Sequence, residues 1–163
     1  MASVWKLPVL FVCEMNEWAS TTAYRRTTSV ANIAVRAQGY DMPGKTVNGN
    51  DFFEVYDAAK EAVEYIRSGK GPYLLENHTF RVKGHFVGDP ELYRSHEETT
   101  KRFENDDPIK NFRKTVLAKK WLAKKDMDAM DEEAQNLILE AVKEAQEAPY
   151  PPESALMENY YCD

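Results

Sequence analysis

Arg81, Lys83 and His85 alternate along the segment Thr79 to Arg94, TFRVKGHFVGDPELYR, directly after the apolar run PYLLE. Alternation behind a strand lets three side chains point one way into a shared mouth. Arg forks across two phosphate oxygens, Lys supplies a point charge, and neutral His donates one ring N–H, so the trio suits phosphate or carboxylate. The plain alternative is a solvated loop whose cations pair with Asp89 and Glu91. A second polar segment, CEMNEW at Cys13 to Trp18, follows the apolar run PVLFVC from Pro8. The oxygens of Glu14 and Asn16 suit a hard cation. Mg²⁺ takes few protein ligands and shares them with a phosphate, so Asn16 and one backbone carbonyl would be part of a site. An Asn after a strand is also a common turn residue.

Other chemistries fit less well. A zinc site would have to gather Cys13, His78 and His85 or His96 from unrelated spacings, whereas structural zinc ligands come in close pairs. A Cys13 nucleophile would need His85 beside it as base; a thiol inside an apolar run is ordinarily inert. Trp5, Trp18 and Trp121 read most simply as core or interface.

The elements that must position these residues form an α/β pattern. Val9 to Val12 is a continuous apolar run, as in a strand buried on both faces. Ala19 to Thr28 reads as a loop. Thr28 or Ser29 caps an expected helix to about Gln38, with Val30, Ile33, Ala34 and Ala37 on one face and Gly39 as the stop. A brief strand at Lys45 to Val47 follows. Asp51 and Glu54 then form a capping box for a helix to Ser68 with Val55, Tyr56, Ala59, Val63 and Ile66 on one face. Tyr73 to Phe80 is the next strand. This alternation argues for parallel pairing with right-handed crossovers, and polar residues past the carboxyl ends of such strands fall in the crevice where open α/β sheets bind ligands. Gly84 to Arg94 is irregular. Helices are expected at Ser95 to Glu104, Pro108 to about Leu122 and Asp131 to Glu147, the last with Ala134, Ile138, Ala141, Ala145 and Ala148 on one stripe. The tail PYPPES is expected to be extended and packed on a surface. Residues 1–94 thus form part of an α/β domain and residues 95–163 a helical region packed on it as the same structural unit.

With 163 residues, 43% hydrophobic and 29% charged, the chain suits one globular domain. The net charge of −6 and the lack of a basic block argue against nucleic acid. No apolar run reaches the roughly 20 residues of a membrane helix. Cys13 and Cys162 make no metal or redox spacing, which fits a reduced, cytosolic-type compartment.

Taken together, the two marked stretches resemble the α subunit of the thiamine-diphosphate-dependent, decarboxylating component of 2-oxo-acid dehydrogenase complexes, the family of the pyruvate, branched-chain and acetoin enzymes. WKLPVLFVCEMNEWAST is similar to the family's W-K-L-P, strand and C-E-N-N-x-Y-A-x-S-T. RAQGYDMPGKTVNGND resembles R-A-x-x-Y-G-x-P-G-x-x-V-D-G-N-D, and TFRVKGHFVGDPELYR resembles T-Y-R-x-x-G-H-S-x-x-D-P-x-x-Y-R. The DPI at Asp107 to Ile109 also matches, so the resemblance is collinear over nearly the whole chain.

The resemblance implies a thiamine-diphosphate-binding fold and specific roles. Asn16 falls on the Asn that coordinates the cofactor's Mg²⁺, and Trp18 where a backbone carbonyl reaches the same ion. His85 falls on the histidine of the mobile loop that reaches the diphosphate and lines the lipoyl path, a catalytic position; Arg81 falls on an arginine of that loop, a phosphate contact or anchor. It also implies oxidative decarboxylation of a 2-oxo acid, or acetoin cleavage, with acyl transfer to a lipoyl-bearing acyltransferase. The partner implied is a β subunit in an α2β2 heterotetramer, which supplies the carboxylate that activates the aminopyrimidine, so the chain alone is expected to be inactive. The implied setting is cytoplasmic, with the mitochondrial matrix as the alternative.

Departures from the family are specific. Its metal-binding G-D-G lies upstream of the W-K-L-P stretch and this chain begins after it, so the sequence looks like the C-terminal half of an α subunit. Met15 replaces the first Asn of the N-N pair, Trp18 a Tyr, and Asn48 the Asp of V-D-G-N-D. Phe86 stands where the family usually has the serine phosphorylated in mitochondrial enzymes, so that regulation is not expected. A non-catalytic remnant or assembly module, packing its apolar strand on partner subunits, is the competing expectation.

Overall fold

A computed structural model describes residues 1–158; Cys162 lies outside the described residues. The chain is α/β. Strands β1 (Leu10–Met15), β4 (Gly44–Asn48) and β5 (Tyr73–His78) form a parallel sheet in the order β1-β5-β4. Leu10 lies opposite Tyr73 and Gly44 opposite Leu74, so all three strands end at nearly one level. Two compact units make up the chain, Met1–Thr115 and the residues from Val116 on.

The central strand is β5, with Tyr73, Leu75 and Glu76 buried. The expectation that the first strand is buried on both faces is corrected: β1 is a sheet edge in this chain, with Phe11 42% and Val12 54% exposed. An apolar run shows that both faces can be buried; it does not show which strand has two neighbours.

The region read as loop, Ala19 to Thr28, holds a small antiparallel pair, β2 (Trp18–Ala19) with β3 (Thr22–Ala23), and one helical turn, α1 (Tyr24–Thr27). The helix expected from Thr28 or Ser29 to Gln38 is a 3-10 segment, Ile33–Tyr40, that passes Gly39 and ends at Asp41 in the left-handed region, φ 53°. Its buried residues are Ala34 and Ala37, three apart, which is the period on which 3-10 side chains eclipse. They lie against Gly44, where an added Cβ would fall 2.4 Å from the Ala34 carbonyl oxygen and 2.9 Å from Ala37 Cβ.

Helix α2 (Phe52–Arg67) starts at Asp51, whose Oδ1 accepts from Phe53 and Glu54 N–H. Only half of the capping box forms, because the Glu54 carboxylate accepts from the Asn48 amide at 2.9 Å instead of from Asp51. The buried stripe is Ala58, Ala62 and Ile66; Tyr56, expected inside, is exposed. Ala62, Ile66 and Tyr73 pack together with Leu10 and Tyr65 beside them.

Helix α3 (His96–Asp106) is capped by Ser95. Helix α4 (Pro108–Ala118) follows Asp107, whose Oδ1 accepts from Ile109 and Lys110 N–H, with proline at the first helical position. Helix α5 (Lys124–Glu147) starts seven residues before the expected Asp131, because Asp126 accepts from the Ala123 amide and stabilises the earlier start. Its expected stripe is exposed, Ile138 by 63%; the buried residue is Met127. The tail is not packed either: Tyr150 is almost fully exposed and Glu153–Met157 forms a short 3-10 segment. No helix among the described residues is long and apolar enough to cross a membrane.

Candidate functional site

The C-terminal end of the sheet collects the marked residues. Asn16 and Trp18 follow β1, while Arg81 and His85 follow β5, and these two strands are hydrogen-bonded neighbours. The ladder continues past the strands: Thr79 N–H donates to Met15 O at 3.0 Å and Arg81 N–H to Asn16 O at 3.3 Å. Parallel pairing therefore brings together two segments separated by more than sixty positions in the sequence.

On one side of this junction, Asn16 Oδ1 accepts from Trp18 N–H at 3.1 Å. That is the turn geometry available to any Asn at a strand end, and it leaves one lone pair of the amide oxygen free. Glu17, between the two, has φ 70°. On the other side, Arg81 donates to the Ser20 carbonyl and, at 3.0 Å, to the Tyr93 hydroxyl, and its Nη1 lies 3.2 Å from His85 Nδ1. The Trp18 and Tyr93 rings meet with centroids 5.0 Å apart. Asn16, Trp18, Arg81 and His85 thus belong to one connected cluster.

Asp89 organises the loop from inside. Its Oδ2 accepts from His85 N–H at 2.8 Å and from the Tyr93 hydroxyl at 2.7 Å, and its Oδ1 from Glu91 N–H. The His85 and Glu91 amides, then Tyr93 and the Arg81 charge, hold its carboxyl below the usual range. Gly84 allows the close turn, since an added Cβ would fall 2.8 Å from Asp89 Cβ.

Lys83 does not join. It is exposed and makes no hydrogen bond or ion pair among the described residues, so Arg81 and His85 form the cluster without it. Glu14 stays exposed on β1. No three His, Cys, Asp or Glu side chains converge as metal ligands among the described residues, so the zinc grouping is not assembled. Cys13 sits inside β1 opposite Glu76. Burial, then the Glu76 and Glu14 carboxylates, push its thiol up.

The sequence alone assigns no role to two positioning residues, although Arg94 closes the marked stretch. Arg94, its side chain 2% exposed, donates to the Arg81 and Val82 carbonyls and pairs with Glu91, which fixes the start of the loop. Glu76 is fully buried. It accepts from Ile33 N–H (2.9 Å), Ala34 N–H (2.8 Å) and the Thr46 hydroxyl (2.9 Å), so it caps the 3-10 segment from the central strand. A polar residue within a strand pattern signals a buried role only once its partners, here 30 to 43 residues upstream, are in place.

A cleft of about 380 Å³ opens beside the junction, with Trp18, Tyr93, Arg25 and Arg94 among its walls. Trp18 Nε1 and Arg81 Nε are buried N–H donors without an acceptor among the described residues. Buried donors are ordinarily satisfied, so cations and unpaired donors together suit a ligand rich in acceptor oxygens.

Comparison with known proteins identifies the family of the chain. Residues 1–154 match the family model described as "Dehydrogenase E1 component". The chain is 35% identical over 162 residues to the pyruvate dehydrogenase E1 component subunit alpha of Rickettsia conorii, covering 99% of this chain and 49% of the relative. It is 40% identical over 161 residues to the alpha subunit of acetoin:2,6-dichlorophenolindophenol oxidoreductase of Bacillus subtilis, covering 99% and 48%. The corresponding subunit of Cupriavidus necator is 42% identical, covering 98% and 48%. The chain spans about half the length of these curated relatives, and it belongs to the dehydrogenase E1 component family, with alpha subunits of the pyruvate and acetoin enzymes as its relatives.

Proposed function

We propose that this chain forms one wall of a Mg²⁺–thiamine diphosphate site and works as α-subunit sequence in a 2-oxo-acid dehydrogenase or acetoin-cleaving enzyme. Residues 1–94 carry the cofactor-binding part and residues 95–163 continue it as helices. The observation that carries the reading is the junction of Asn16 with Arg81 at the carboxyl end of β1 and β5, beside two buried donors without acceptors.

In this reading the free lone pair of Asn16 Oδ1 and the Trp18 carbonyl hold the metal, and Arg81 and His85 face the diphosphate. Bound thiamine diphosphate supplies an electron sink for loss of CO₂ from a 2-oxo acid. The chain's own residues bind and orient. Arg94 ties the start of the loop to its end and Asp89 braces its interior, so that Arg81 and His85 arrive with their geometry set. The acyl group would pass to a lipoyl arm, and a β subunit would complete the site in an α2β2 assembly.

The test is calorimetric titration of Mg²⁺ and thiamine diphosphate into the chain alone, then into the chain combined with the N-terminal half of an α subunit and a β subunit. Binding that requires the combination supports a shared site. Absence of binding in every combination supports an assembly module instead, a reading favoured by the exposed Phe11 and Val12 on β1.

A further inference from the structure

The turn between Asn16 and Trp18 is held from a distance. Glu17 occupies the left-handed region at φ 70°, where a residue with a Cβ crowds its own carbonyl and needs outside support. Two hydrogen bonds report its shape: Trp18 N–H to Asn16 Oδ1 at 3.1 Å, and Tyr24 N–H to the Glu17 carbonyl at 2.8 Å. The Glu17 carboxylate is taken by Arg102 of α3, 85 positions away, whose Nη2 donates to Oε1 at 2.9 Å.

A partly exposed ion pair usually contributes little because both side chains must be ordered to form it. Arg102 is ordered already. Its guanidinium stacks 4.7 Å from the centroid of the buried Phe80 ring, and its charge pairs with Asp106, Nε lying 2.9 Å from Oδ2 without hydrogen-bond alignment. Phe80 also carries the Arg94 guanidinium at 5.7 Å, so Arg102 is anchored to the strand exit that bears Arg81. A preorganised guanidinium loses little freedom on pairing. The pair also spans two elements that no local hydrogen bond connects.

We propose that Arg102 is a positioning residue that holds Glu17, and through it the Asn16–Trp18 turn, in the left-handed conformation, so that helix α3 sets the geometry of the turn. The proposal deepens the cofactor reading and rests on it only for its consequence for Mg²⁺.

Amide hydrogen exchange on the full chain tests the clamp without any ligand. Arg102→Ala is expected to speed exchange at Trp18 and Tyr24 about fivefold, a loss of about 1 kcal/mol, while Leu75 in β5 is unchanged. The exchanged pair Glu17→Arg with Arg102→Glu is expected to restore protection. Glycine adopts φ near 70° without cost, so in a Glu17→Gly background Arg102→Ala is expected to add nothing. Unchanged exchange at Trp18 and Tyr24, equal acceleration at Leu75, or the same acceleration in the Glu17→Gly background would each overturn the proposal. If the two amides respond as expected while Mg²⁺–thiamine diphosphate does not bind the combined assembly, the clamp stands and the cofactor reading falls.

Discussion

The Arg81 guanidinium and the His85 imidazole meet with Nη1 3.2 Å from Nδ1. Guanidinium has donors only, so Nδ1 is the acceptor and the ring proton lies on Nε2. His85 therefore presents an N–H away from Arg81. A glutamine amide nitrogen can stand near the position of Nε2, and an asparagine amide near that of Nδ1. His85→Gln should retain more thiamine diphosphate affinity than His85→Asn. A charge-assisted bond of about 1.5–3 kcal/mol puts the difference at roughly 10–100-fold in Kd, read by calorimetry; equal losses would contradict the tautomer.

Glu76 links the site's central strand to the 3-10 segment. Glu76→Ala leaves the donors of Ile33, Ala34 and Thr46 without their acceptor. Each unsatisfied buried donor costs about 1–3 kcal/mol, so a loss near 3 kcal/mol or more is expected in denaturant unfolding.

The same carboxylate gives a pH dependence. Burial pushes Glu76 up, but the Ala34 and Ile33 amides, Thr46 and the nearby His78 outweigh it and hold it below the ordinary 4.5. A depressed folded pKa gives stability that is complete above the unfolded value and fades as pH falls through the folded one. Thermal midpoints should therefore drop as pH is lowered from 6 through the acid range, and Glu76→Gln should flatten that limb. Parallel curves would contradict this.

Gly44 lies where a side chain cannot fit. Gly44→Ala drives Cβ into the Ala34 carbonyl and Ala37. An overpacking cost of about 1–3 kcal/mol is expected, measurable as a lowered thermal midpoint.

Cys13 should be a slow nucleophile. With its thiol raised above the ordinary 9.0 by burial and the nearby carboxylates, alkylation in a Cys162→Ser background should be slower than that of free cysteine at pH 7 and still be rising with pH beyond 9. A plateau below pH 8 would show a thiolate.

The parts of the fold legible in the sequence were those with local causes. Asp51 with its amide partners starts α2, Ser95 starts α3, and the polar exits of β1 and β5 mark the crevice of a parallel sheet. What was not legible depends on distant partners. Whether β1 is edge or centre depends on which strands flank it, and the Ile33–Tyr40 segment is 3-10 because Ala34 and Ala37 must pack against Gly44. Glu54 takes the Asn48 amide, six residues upstream, in place of its own cap, a choice between two nearby donors that the capping pattern does not decide. At the site, alternation placed Arg81 and His85 together, but it could not tell that Lys83 turns to solvent while Arg94 and Asp89 hold the loop.

The most direct measurement is calorimetric titration of Mg²⁺–thiamine diphosphate into the chain combined with an α-subunit N-terminal half and a β subunit, for the natural sequence, Asn16→Ala and His85→Ala. Binding by the natural sequence, weakened about tenfold or more by each substitution, is the predicted result. Unchanged affinity in both variants, or no binding by the natural sequence, would contradict the proposed site.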